Sequence, residues 1–103
     1  MSDSVTVKGQ PIDYAANNLL PERMRGGMRR YIENGVPPGH FLTAVLSNDL
    51  AEACSRADPI NRQRLGDYSG WLYSYAPPGC HGSHEKVRAW LKERAAEAKE
   101  KAA

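Results

Sequence analysis

The sequence predicts an all-α fold, a compact four-helix domain with a mobile N-terminal arm and a charged helical C-terminal tail. Three observations carry that expectation. Apolar residues recur at helical spacing in four separate stretches, proline and glycine stand where those stretches begin and end, and short polar loops separate them. With 103 residues, of which 41% are hydrophobic, there is room for one domain and one modest core.

Residues 1–18 combine Ser, Asp, Gly, Pro and paired Asn with only the short run Val5-Thr6-Val7, so they read as a flexible arm or one short edge strand on which little of the fold depends. The helical domain is expected over 19–92. Pro21 and Glu22 suit a first helical turn, because proline lacks a hydrogen-bond donor that this turn would leave unused and an acidic side chain favours the positive end of the helix dipole. Met24, Met28, Tyr31 and Ile32 share one face at 100° per residue; Glu22, Arg25, Arg29, Arg30 and Glu33 take the other, and Asn34-Gly35 ends the helix.

A proline- and glycine-built turn over 35–39 then opens a central helix from about 39 to 57, with Phe41, Leu42, Val45, Leu46, Leu50, Ala53, Cys54 and Ala57 along one stripe. Asp58-Pro59 can cap and open a third helix that turns Ile60, Tyr68, Trp71, Leu72 and Tyr75 inward and stops at Pro77-Pro78-Gly79. Ser83 is the expected cap of a fourth helix carrying Val87, Trp90 and Leu91, with Ala95 as a further candidate for its apolar stripe. Residues 93–103 contain only Ala, Lys, Glu and Arg, and are expected to form a helical tail by propensity, frayed for lack of packing. Loops of about 3 to 7 residues favour packing between sequence neighbours.

A formal charge of +2 argues against a surface that is wholly a nucleic-acid footprint. Any charge-driven partner must meet a local patch. No apolar run approaches the roughly 20 residues of a membrane span, and Cys54 and Cys80 read as reduced thiols in a chain without a signal peptide, so no membrane role and an intracellular setting are expected.

The strongest electrostatic feature is the arginine group Arg23, Arg25, Arg29 and Arg30. Arg25 and Arg29 stand one turn apart and can fork around a phosphate, a carboxylate or an acidic protein surface, while Glu22 and Glu33 can instead absorb that charge as a solvated helix face. Gly26-Gly27 within the same helix should cost about 2 kcal/mol relative to two alanines. Either a kink or close helix crossing requires them, or the backbone is left bare for a ligand or partner to approach between the arginines.

Cys80, His81 and His84 lie within five positions, which raises a zinc site or a thiol nucleophile; a structural zinc needs about four ligands, and nothing nearby in sequence supplies an orienting acid. Tyr68, Trp71 and Tyr75 share a core face, whereas Tyr73 falls off it and could stack on a base or anchor an interface, with Arg62 and Arg64 nearby. A helix, a tight turn and a second helix from Met24 to Ala57 could be taken for a helix-turn-helix, although the recognition helix this implies holds no Arg or Lys before Arg56 and is a poor groove-reading face.

The stretches Gly35-Val-Pro-Pro-Gly-His-Phe-Leu-Thr-Ala-Val-Leu-Ser-Asn-Asp-Leu50, Trp71-Leu-Tyr-Ser-Tyr-Ala-Pro77 and Gly79-Cys-His-Gly-Ser83 resemble small proteins encoded in phages and prophages of proteobacteria. The resemblance covers roughly residues 20 to 92 and transfers no catalytic residue. It implies an accessory protein of the host cytoplasm that acts by stoichiometric binding without enzymatic activity or cofactor, inhibiting a host antiviral defence protein or sequestering its small anionic nucleotide signal. Arg25, Arg29, Arg30 and the adjoining Tyr31 are the expected partner-binding residues, no metal or catalytic residue is assigned, and a homo-oligomer is expected from the small core. A small nucleic-acid-binding regulator is the alternative, and a metal- or thiol-dependent enzyme the second alternative.

Overall fold

The computed structural model describes residues 5–7 and 10–102, and it is predominantly helical. Strands β1 (Val5–Val7) and β2 (Gln10–Ile12) pair antiparallel, with Val5 opposite Ile12. After a 3-10 turn at Ala16–Asn18 follow helices α1 (Glu22–Asn34), α2 (His40–Leu46), α3 (Leu50–Arg56), α4 (Pro59–Gln63), α5 (Leu65–Tyr75) and, beyond a second 3-10 turn at Pro78–Cys80, α6 (His84–Ala102). The expected first and fourth helices stand. The second and third are each divided in two.

The first helix stops as its sequence directs. Gly35 adopts φ +68°, its N–H donates to the Tyr31 carbonyl at 3.0 Å and the Val36 N–H to the Arg30 carbonyl at 3.2 Å, a left-handed cap that consumes carbonyls the helix would leave unpaired. The central helix breaks at Ser47-Asn48-Asp49 although the apolar spacing runs through. Asn48 takes φ +60°, and the Asp49 carboxylate accepts the Glu52 N–H at 3.2 Å, so local side-chain capping outcompetes helix continuation. As a result Leu50, placed on the buried stripe by spacing, is 66% exposed.

Asp58 caps α4 through the Asn61 N–H at 2.8 Å, with Pro59 as first residue. Its apolar candidate Ile60 points outward at 59% exposure; the buried residue is Asn61, whose Oδ1 accepts from the Tyr68 hydroxyl at 2.8 Å. Ser83 Oγ accepts the Lys86 N–H at 3.1 Å and starts α6 as expected.

The core joins both ends of the chain. Met28, Tyr31 and Ile32 of α1 pack toward α6, whose Trp90 indole donates to the Ile32 carbonyl at 3.1 Å; Phe41 of α2 meets Tyr68 of α5 edge-on with ring centres 5.3 Å apart. Ile12, Tyr14, Ala16 and Leu20 are buried in the same cluster. The Tyr14 ring stacks on Trp71 at 5.6 Å, and the Trp71 indole N–H donates to the Asp13 carbonyl at 3.0 Å. The expectation of a dispensable arm over 1–18 is therefore corrected from Ile12 onward, because an alternating Ile12-Asp-Tyr14 pattern buries every second side chain. The parts of that arm at residues 1–4, 8 and 9 lie outside the described residues.

The tail is likewise more than propensity at its start. Arg94 is buried, its guanidinium lying 5.3 Å from the Trp90 ring centre and 2.7 Å from Glu97, so an aliphatic stem covers apolar surface while the head stays paired.

Candidate functional site: the arginine and glycine groove

Helix α1 presents Arg25, Gly26 and Arg29 to a shallow groove of about 220 Å³ whose opposite wall is Tyr14 and Ala15. The arginines contribute in different ways. Arg25 donates from Nε to the Leu20 carbonyl at 3.0 Å and from Nη2 to Asn18 Oδ1 at 2.6 Å. It thereby ties down the 3-10 turn in which Asn17 and Asn18 hold positive φ, with Arg64 donating to the Asn18 and Leu19 carbonyls from the other side.

Arg29 is 3.2 Å from Glu33 Oε2, and its guanidinium carbon lies 5.9 Å from the Tyr14 ring centre. The Tyr14 hydroxyl donates to the same Glu33 oxygen at 3.0 Å. Burial first, then the neighbouring Glu33 charge, push the Tyr14 hydroxyl well above its ordinary pKa, so it stays protonated and remains a donor. Arg30 is exposed and has no carboxylate partner among the described residues. Arg23, the fourth member, pairs with Asp58 at 2.7 Å outside the groove.

The two glycines are not demanded by packing. Outside the helix backbone, a methyl group at Gly26 would meet only the tip of Arg30, 3.2 Å from Nη1; one at Gly27 would meet Leu42 Cδ1 at an ordinary 3.5 Å. Neither kink nor tight helix crossing accounts for them, since α1 runs unbroken from Glu22 to Asn34. What Gly26 does is keep the floor of the groove low between Arg25 and Arg29, with the Arg30 head above it, while Gly27 faces Leu42 of α2.

Tyr31 does not belong to this surface. It is fully buried and its hydroxyl donates to the Cys80 carbonyl at 2.8 Å, which corrects its assignment as a partner-binding residue: it shares the inward face with Met28 and Ile32. Tyr14 and Ala15, which sequence reasoning missed, supply the second wall; the period-2 burial of Ile12 and Tyr14 was the available signal.

In the loop that raised zinc and thiol chemistry, Cys80 and His84 each have surroundings of their own. Cys80 is buried and desolvation pushes its thiol up to about 12, so no thiolate forms near neutrality. His84 Nε2 lies 3.1 Å from Asp49 Oδ2. Among the described residues no group of three His, Cys, Asp or Glu stands together as a metal site. Tyr73 is 89% exposed as expected; Arg64 is paired with Asp67, and Arg62 donates to the Cys54 carbonyl at 3.3 Å. No helix of the described residues is long and apolar enough to cross a membrane. Compared with known protein families, with curated proteins and with solved structures, the chain matches none.

Proposed function

We propose that this chain is a non-enzymatic binding protein whose groove between Tyr14 and α1 receives an acidic group, a carboxylate or phosphate, displayed by a protein partner. The observation that carries the reading is Gly26: about 1 kcal/mol of helix propensity is given up at a position where an alanine would need only the tip of Arg30 to shift, on the floor of a groove edged by Arg25 and Arg29. Glu33 occupies part of the Arg29 fork in the free protein, and an incoming anion would take its place with two-pronged geometry. A groove of about 220 Å³ falls below the roughly 300–1,000 Å³ of small-molecule pockets, which favours a side chain presented by a macromolecule over a free nucleotide. Taken with the resemblance to phage and prophage proteins, the partner proposed is a component of a host antiviral defence, blocked by stoichiometric association.

The test is affinity purification from a bacterial host followed by native mass spectrometry, comparing the parent with the Arg29→Glu, Arg30→Glu double variant. Arg25 is left in place because its bonds hold residues 18–20. A stoichiometric partner retained by the parent and lost by the variant, at unchanged melting temperature, supports the reading. A partner retained equally by both refutes it.

A further inference from the structure

A second and larger groove lies between α2, α5 and the loop over 77–83. It consists of two adjoining hollows of about 350 and 330 Å³ that share Tyr73, His81 and Gly82. Val45 and Leu72 line the first hollow, with Asn48 and Ser69 as its polar members. Ala76, Pro78 and Lys86 complete the second. Each hollow alone is within the usual size range of small-ligand sites.

The loop wall is held firmly. The Tyr31 hydroxyl donates to the Cys80 carbonyl, the Gly82 N–H to the Leu46 carbonyl at 2.8 Å, and the Cys80 N–H to the Pro77 carbonyl at 3.1 Å. The Asn48 corner is fixed in its left-handed conformation by its N–H bond to the Val45 carbonyl at 3.1 Å. A ligand would therefore meet a backbone wall that is already arranged, and binding would have to order only the exposed Tyr73 and Lys86 side chains.

We propose that this groove is a mononucleotide site, with the base lying against the Tyr73 ring over Val45 and Leu72 and the phosphate facing Lys86. Each part of the ligand follows from a feature of the groove. Tyr73 offers a solvent-facing aromatic surface at 89% exposure, the kind of platform on which any base can stack. Asn48 and Ser69 provide an amide and a hydroxyl beside the apolar floor, suited to the donors and acceptors on the edge of a heteroaromatic ring.

The charge is set by Lys86. Its stem runs along Gly82, where a methyl group would approach Lys86 Cδ to 3.4 Å, and its ammonium has no carboxylate partner among the described residues. His81 adds no second cation: burial, and then Lys86, lower its pKa below the ordinary imidazole value, so at neutral pH it offers one donor and one acceptor. One cation suits one phosphate rather than a triphosphate. No carboxylate lines either hollow, so a zwitterionic aromatic amino acid would bring an ammonium group with nothing to pair it.

The experiment is calorimetric titration of the full chain with AMP, GMP, CMP and UMP at low salt. At least one should bind saturably with Kd below about 1 mM; Tyr73→Ala and Lys86→Glu should each weaken it about tenfold or more, with unchanged circular dichroism. The Arg29→Glu, Arg30→Glu variant should bind the nucleotide as the parent does, which keeps this site distinct from the proposed protein-binding groove. Absence of saturable binding by all four, or binding that survives both groove variants, overturns the proposal. So does loss of nucleotide binding confined to the arginine variant.

Discussion

Replacing Gly26 and Gly27 together by alanine should make the protein more stable and a poorer binder. Both positions are interior to α1, so each substitution removes about 1 kcal/mol of backbone entropy cost. The 3.2 Å approach to Arg30 Nη1 is relieved by moving the end of an exposed side chain, and the 3.5 Å contact with Leu42 Cδ1 adds ordinary packing. The expected gain is about 2 kcal/mol, equivalent to roughly 8 °C or more in Tm for a domain of this size. Gly35→Ala is the counter-example on the same helix: φ is +68°, and a methyl group would come within 2.6 Å of Arg94 Cβ and 3.3 Å of the Ala95 nitrogen. Strain in the left-handed region and overpacking against α6 should cost about 2 to 5 kcal/mol together. Urea unfolding followed by circular dichroism measures both variants, with unchanged slopes as the check that only stability has moved. Destabilisation by the alanine pair would show that the fold itself requires bare backbone there, and the case for a functional groove floor would fall.

Leu46→Ala should cost about 2 to 5 kcal/mol because Leu46 is fully buried, while Leu50→Ala, one turn on in the same apolar spacing but largely exposed, should stay within about 0.5 kcal/mol; equal losses would mean that α2 and α3 form one continuous helix. Stability should also fall in alkali. Burial pushes Cys80 from 9.0 to about 12 and Tyr68 from 10.0 to about 12, so the folded chain retains protons that the unfolded chain releases, and the contribution is intact below pH 9 and lost as pH rises toward 12. Urea midpoints across that range should decline, and Cys80→Ala should flatten the first part of the decline; an unchanged slope would place the thiol in water. Sedimentation at micromolar concentration should reveal self-association, which the exposed Leu50, Ile60 and Val36 would support; a monomer throughout would remove that expectation.

Much of the helical framework was legible where a single residue type has a single physical use. Gly35 ends α1, Asp58-Pro59 opens α4 and Ser83 caps α6, each as local chemistry dictates. The break at 47–49 was written in the sequence as well, as Asp49 followed three positions later by Glu52, but the uninterrupted apolar spacing concealed it. The break at Arg64 has no such signature. Its side chain is drawn to the Asn18 and Leu19 carbonyls, contacts made far along the chain. The same distance effect divided the candidate site: Arg25 and Arg29 could be read from helical spacing, whereas the wall formed by Tyr14 depends on its stacking with Trp71. Tyr31 was recoverable, since the spacing that groups it with Met28 and Ile32 already turns it inward.

The contact between Tyr14 and Trp71 bears on the order in which the molecule comes into being. Asp13 and Trp71, which share a hydrogen bond, are 58 positions apart. At a synthesis rate of about 5–20 residues per second, the segment carrying Ile12, Tyr14 and Leu20 waits roughly 3 to 12 s for the helix that will cover it. Closing so long a loop also costs entropy before any contact returns it. A segment synthesised well before α5 is thus among the last parts of this fold to be sheltered. For those seconds its apolar side chains are open to chaperones and proteases, and the change in Trp71 fluorescence on refolding marks the moment at which the exposure ends.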